Sequence, residues 1–137
     1  MEEIKFRHNL PIQLRFNDID RLGHVNNSVY FAYYDLGKTD YFASVYPNLL
    51  RDSKGVVLVH LDTDFLIQVK PTDKIAVQTA TIHIGEKSLT LMQQVINTET
   101  LEIKSTCKST LVAFDLEQQQ SIIIPDEWRE AIAAYEI

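Results

Sequence analysis

An α+β fold, with one long helix laid on an antiparallel sheet, is predicted by three features of the sequence. One long stretch repeats its aromatic and small residues at helical steps. Four strand-like stretches follow it in succession. Turn-forming residues separate those stretches, which is the punctuation hairpins need. Successive hairpins build an antiparallel sheet, and a single helix must cover one of its faces, so the pattern is not a doubly wound α/β fold.

Each element has its own reason. Gln13, Arg15 and Asn17 alternate with Leu14 and Phe16, which reads as a first strand with one wet face. From Asn27 to about Val45 the helix is predicted, because Tyr30, Tyr33, Tyr34, Gly37, Tyr41 and Val45 share one face. Asn26 or Asn27 supplies the N-cap, and Pro47 marks a stop. Gly37 costs about 1 kcal/mol against Ala in a helix interior, so it implies close approach to the sheet. Strands follow at Gly55 to Val69, Lys74 to Ile84, Ser88 to Ile96 and about Glu102 to Phe114. Gly85-Glu86 and the Asn97 to Thr100 stretch are their turns, and the polar Glu117 to Gln120 run is a loop. Pro125-Asp126 opens a short C-terminal helix capped by Asp126. The 137 residues fit one domain, 1–137, and one helix cannot cover both faces of five strands, so a homodimer or homotetramer is expected.

Composition narrows the function classes. The net charge of −6 argues against general nucleic-acid binding, which needs a basic face. The longest apolar runs, such as 56–59, are far too short to span a bilayer, and no apolar leader is visible. The single cysteine, Cys107, has no intrachain disulfide partner and sits in a strand pattern, so it reads as a packing residue. A cytoplasmic protein without a membrane partner is the expectation.

The chemistry concentrates between residues 13 and 34, Q-L-R-F-N-D-I-D-R-L-G-H-V-N-N-S-V-Y-F-A-Y-Y. Two acids, Asp18 and Asp20, stand a few residues ahead of a helix start. Such a start has free backbone N–H groups and a partial positive charge. One segment can therefore supply a base or nucleophile and a hole for a developing oxyanion. Asp18 reads as a structural acid that bonds loop amides. His24 follows Asp20 by four, a spacing that suits a metal pair on a helix, but Gly23 and the two asparagines place it in a turn, and no further ligand cluster appears. No metal and no cofactor are expected.

The element order and the D-I-D-R-L-G-H-V-N-N-S-V-Y-F-A-Y-Y segment resemble the hotdog-fold acyl-CoA thioesterases of the 4-hydroxybenzoyl-CoA thioesterase type. The matching positions are Asp18, Asp20, Gly23, His24, Val25, Asn26, Asn27, Tyr30 and Tyr33. Two weaker elements accompany it: L-D-T-D-F-L-I-Q-V at 61–69, and Gly85-Glu86-Lys87-Ser88. Thr72-Asp73 stands where the family often has Gly-Asp.

The resemblance implies a five-stranded antiparallel sheet wrapped around one long central helix. It implies that Asp20 is the nucleophile or general base, and that the backbone N–H of Asn27 polarises the thioester carbonyl. It implies an active site built across a dimer interface, with Lys87 and Ser88 near CoA phosphates or the pantetheine arm. His24, Asn26, Tyr30 and His60 are further substrate-contact candidates, His60 lying on a strand near Asp62 and Asp64. Related subfamilies carry their carboxylate on the helix, where Asp35 stands here. The expected reaction converts an acyl-CoA to free acid and CoA. An acyl-carrier-protein thioesterase and a non-catalytic acyl-CoA-binding module are the alternatives. A hotdog dehydratase fits less well, because its His-plus-acid helix pattern is not obvious.

Overall fold

The computed structural model describes residues 3–51 and 53–137, with the side chains of residues 50 and 51 outside that description. The domain predicted over 1–137 thus includes positions 1, 2 and 52, which lie outside the described residues. The elements are β1 (His8–Ile12), α1 (Val29–Val45), β2 (Lys54–Phe65), β3 (Ile75–Ile84), β4 (Ser88–Asn97), β5 (Ile103–Asp115), the two-residue β6 (Gln120–Ser121) and α2 (Asp126–Glu136). Short 3-10 turns occupy Phe16–Asp18 and Pro47–Arg51. The sheet runs β1-β3-β4-β5-β2, all antiparallel, with β6 added to β5. It curls around α1, and α2 is the short C-terminal helix. This is the wrap the helix-then-hairpins order predicts.

The predicted helix face is the buried one: Tyr30, Tyr33, Tyr34, Gly37 and Tyr41 all face inward. A Cβ on Gly37 would sit 2.6 Å from Val77 Cγ1 and 3.2 Å from Gln93 Nε2, so glycine is what lets helix and sheet approach. Two apolar clusters fill the interface. Val25, Tyr30, Tyr33, Tyr34, Val69, Ile75, Val77, Val95 and Cys107 pack around the N-terminal half of α1. Tyr41, Phe42, Leu89, Leu91, Leu111, Trp128 and Ile132 pack around its C-terminal half, where α2 closes the end. Arg129 of α2 ties that closure by donating to Gly85 O at 2.6 Å and Glu86 O at 2.9 Å.

Several expected boundaries move, each for a tertiary reason. The first strand is His8–Ile12, not 13–17, and Phe16–Asp18 is a 3-10 turn. The Asp18 carboxylate accepts the Arg15 amide at 3.1 Å and the Tyr33 hydroxyl at 2.8 Å, which pulls the chain out of the sheet. Pro11 is tolerated in β1 because β1 is an edge strand. Helix α1 starts at Val29 with Ser28 as N-cap, not Asn26 or Asn27. Asn26 instead braces the cap, its Oδ1 accepting Ser28 N at 3.0 Å and Ser28 Oγ at 2.8 Å. Strand β2 stops at Phe65 instead of Val69, because Leu66 N and Ile67 N both turn to Lys104 O, at 2.9 and 3.0 Å. Pro125, not Asp126, is the N-cap of α2, which places Asp126 inside the first turn. Gln120 belongs to β6.

Candidate active-site cleft

The loop from Asp18 to Ser28 is shaped by its own backbone. Asp20 N donates to His24 O at 2.9 Å, and Gly23 N to Asp20 O at 3.0 Å. Gly23 has φ of 86°, a left-handed value that favours glycine. The far side is pinned by Asn26 N to Asp18 O and Val25 N to Val69 O, both 3.0 Å. This tight turn carries Asp20 back toward the start of α1.

A cleft of about 560 Å³ opens there. Asp20, Leu22, His24, Val25, Asn26, Asn27 and Tyr30 form one wall, and Phe65, Leu66, Ile67 and Gln68 the other. The Tyr30 and Phe65 rings meet edge to face with centroids 5.1 Å apart, joining the two walls. Asp20 Oδ1 accepts the Leu22 amide at 2.9 Å, and Oδ2 makes no hydrogen bond among the described residues. The backbone N–H of Asn27, one residue before the cap, likewise donates to no atom among the described residues. On its other side Asp20 borders a second hollow of about 450 Å³, with Leu14, Phe16, Ile19 and Pro71.

Five of the expected site residues, Asp20, His24, Asn26, Asn27 and Tyr30, therefore meet in one cleft. Three do not join them within one chain. Ser88 is level with Val57 across β4, β5 and β2, with Lys87 beside it in the β3–β4 turn, whereas the cleft is level with Phe65. That separation is roughly 25 Å along the strands. His60 lies exposed on β2, about 17 Å from Phe65 by the same rise, and pairs with Asp62 at 3.2 Å. Asp35 is not among the residues lining the cleft and pairs with Lys38 at 3.2 Å. Among the described residues no group of three or more His, Cys, Asp or Glu could hold a metal ion, and no helix is long and apolar enough to cross a membrane.

Two supports escaped the sequence. Lys104 is buried, and its Nζ reaches Glu102 Oε1 at 2.6 Å and Asp73 Oδ2 at 3.4 Å. Burial works against its charge, but those two carboxylates outweigh burial and raise its pKa. Its carbonyl holds Leu66 and Ile67, so Lys104 builds the second wall of the cleft. Only the neighbouring Glu102 could have hinted at this pairing. The other support is the Asp18–Tyr33 bond. Burial pushes the Asp18 carboxyl upward, but the Tyr33 hydroxyl and Arg15 together hold it below the ordinary 3.8. Burial and the same bond push the Tyr33 hydroxyl well above its ordinary range.

A folded-state pKa that is depressed contributes stability above the unfolded value, and that contribution is lost as pH falls through the folded value. Asp18→Asn is expected to lower unfolding free energy by about 1–3 kcal/mol at neutral pH, the scale of charge-assisted hydrogen bonds. The gap from wild type should close as pH falls below about 4. Urea unfolding across that pH range measures it, and a gap that persists at acid pH rejects the role.

Similarity to known proteins bears on this arrangement. Over 82 residues the chain is 30% identical to the uncharacterized protein YsmA of Bacillus subtilis, covering 58% of this chain and about half, 54%, of the relative's length. A thioesterase from Thermus thermophilus, solved with coenzyme A and zinc, is similar with a TM-score of 0.85 and 30% identity, over 96% of this chain and 95% of that one. The PA2801 protein of Pseudomonas aeruginosa is similar with a TM-score of 0.83 and 26% identity, over 93% and 99% of the two chains. With the thioesterase-like superfamily model matching residues 14–132, the chain belongs to that superfamily and shares its hotdog fold.

Proposed function

We propose that the protein hydrolyses an acyl-CoA thioester to free acid and CoA at the Asp20–Asn27 cleft. The observation that carries this reading is the pairing, in one cleft, of a carboxylate oxygen and a backbone N–H that both lack partners among the described residues. The N–H stands at the start of α1, where the helix dipole favours negative charge. Asn27 N–H polarises the carbonyl and stabilises the tetrahedral oxyanion. Asp20 either takes a proton from water as hydroxide attacks the carbonyl carbon, or attacks it directly to form an anhydride that water then opens. In both routes the C–S bond breaks and CoA leaves as a thiolate, which then takes up a proton. His24, Asn26 and Tyr30 line the path of the thioester. The coenzyme A bound by the Thermus thioesterase supports CoA as the carrier.

Release of free thiol from a panel of acyl-CoAs tests this directly. Turnover is expected, and tight binding without any turnover would favour the non-catalytic module. Faster turnover of carrier-protein thioesters would shift the substrate but not the site chemistry.

A second copy completes this reading. Strand β2 is a 12-residue edge with Val57, Leu58 and Val59 at 39–58% exposure, whereas the opposite edge, β1, is five residues long and blunted by Pro11. Two-fold antiparallel pairing of β2 edges would carry the partner's β3–β4 turn to the cleft end of its neighbour. Three strand spacings, about 14 Å, would then separate the cleft-bearing strand from the partner's Ser88 strand. On this arrangement Lys87 and Ser88 serve the CoA of the neighbouring cleft, and His60 lies at the seam. Light scattering is expected to give a dimer or tetramer at micromolar concentration. An active monomer would remove Lys87, Ser88 and His60 from the site.

A further inference from the structure

A polar belt crosses the helix–sheet interface between the two apolar clusters. Thr79, Gln93 and Ser109, on the adjacent strands β3, β4 and β5, are 0%, 1% and 3% exposed. Gln93 donates both amide hydrogens, to Tyr34 O and to Thr79 Oγ1, each at 3.0 Å. The buried Ser109 hydroxyl has no hydrogen-bond partner among the described residues. An unpaired buried hydroxyl is a standing cost, and native structures keep few of them.

Ser109 lies in the wall of a cavity of about 340 Å³ between α1 and β2, with Phe31 and Lys38 from the helix and Leu58 and Leu61 from the strand. This cavity and the cleft share no lining residue but draw on the same two elements, α1 and β2. Tyr34 in its wall is one helical turn beyond Tyr30, and Leu61 is four residues along β2 from Phe65, about 13 Å. Its lining is apolar apart from the belt and the Lys38–Asp35 pair at its rim. That pair is neutral overall, so an ionised ligand end finds no free counter-charge in it. Burial pushes the Cys107 thiol up to about 11, so it stays protonated and acts as apolar lining.

We infer that this cavity receives the far end of the acyl group, and that Ser109 hydrogen-bonds a hydroxyl carried there, making the substrate a medium-chain acyl thioester hydroxylated at its distal end. The inference rests on the Asp20–Asn27 cleft being the thioester site. Its oxygen is shielded in this structure, so binding would require χ1 of Ser109 to turn the hydroxyl toward the cavity, where it could donate to or accept from the ligand. A plain alkyl end would leave Ser109 unpaired. Sites built to bond a substrate hydroxyl discriminate strongly against the analogue that lacks it.

The test uses two non-hydrolysable thioether analogues of a medium-chain acyl-CoA, identical except for a distal hydroxyl. Their affinities are measured by calorimetry on the wild type and on Ser109→Ala. That substitution removes an unpaired buried group and should fold normally. The hydroxylated analogue is expected to bind the wild type about 10-fold tighter, the scale of one good hydrogen bond, and the ratio should fall to about one in Ser109→Ala. Equal affinities in the wild type, a preference that survives in Ser109→Ala, or binding of neither analogue overturns the inference. Thiol release from acyl-CoAs is read separately. A protein that prefers the hydroxylated analogue through Ser109 but releases no thiol loses the thioesterase reading and keeps this ligand class.

Discussion

Asp20→Asn is expected to lower thioester hydrolysis by at least about 100-fold, the lower range for loss of acid–base catalysis. The substitution keeps the shape of the side chain. It also keeps an amide oxygen where Asp20 Oδ1 accepts Leu22 N at 2.9 Å, so the turn that presents the residue survives. What disappears is the carboxylate charge, which the proposed proton acceptance and nucleophilic attack both require. Folding should be intact, because the carboxylate that braces this loop is Asp18, through Tyr33 and Arg15. The two acids thus separate cleanly in experiment. Asp18→Asn moves the unfolding curve, whereas Asp20→Asn moves the rate. Steady-state kinetics on an acyl-CoA that the wild type hydrolyses, with circular dichroism as the folding control, decide it. Normal turnover in folded Asp20→Asn protein removes Asp20 from the chemistry.

That separation shows what local pattern can and cannot reveal. The tyrosine face of α1 and the four later strands were readable because side-chain period reports burial directly. Gly37 was readable for a related reason: a costly residue in a helix needs a neighbour that forbids a Cβ, and Val77 is that neighbour. The first strand was misplaced because the alternation at 13–17 is real, yet Asp18 finds Tyr33, fifteen residues later, and that bond outweighs the pattern. The end of β2 was misplaced for the same kind of reason. Nothing local to Leu66 and Ile67 says that Lys104 O will take both their amides. In the site, the Asp20-to-Tyr30 wall is contiguous in sequence and was found. The Phe65 to Gln68 wall shows in the sequence only as a weak family-like stretch, because its shape depends on a buried lysine in another strand. Lys87, Ser88 and His60 lie outside the cleft of their own chain, because a local motif does not report the strand register that separates them from it.

The helix start offers the sharpest contrast between main chain and side chain. Asn27 is not the N-cap, which is Ser28, and the side chain that braces the cap belongs to Asn26. Asn27→Ala should therefore cost less stability than the roughly 1 kcal/mol of a lost cap, and should leave most of the turnover. Asn27→Pro removes one atom of interest, the amide hydrogen. It leaves Asn27 O free to accept Tyr30 N, now at 3.3 Å, and proline is tolerated around a helix start. Turnover of Asn27→Pro should fall by roughly 100-fold or more, the scale of losing one oxyanion donor. Its affinity for a thioether analogue should change little, because the oxyanion forms only during reaction. The pair of variants is informative only together. A slow Pro variant beside a fast Ala variant, both folded and both binding the analogue, assigns the donor to the Asn27 main chain. Equal rates in the two move the donor elsewhere, with His24 or a neighbouring amide as the next candidate.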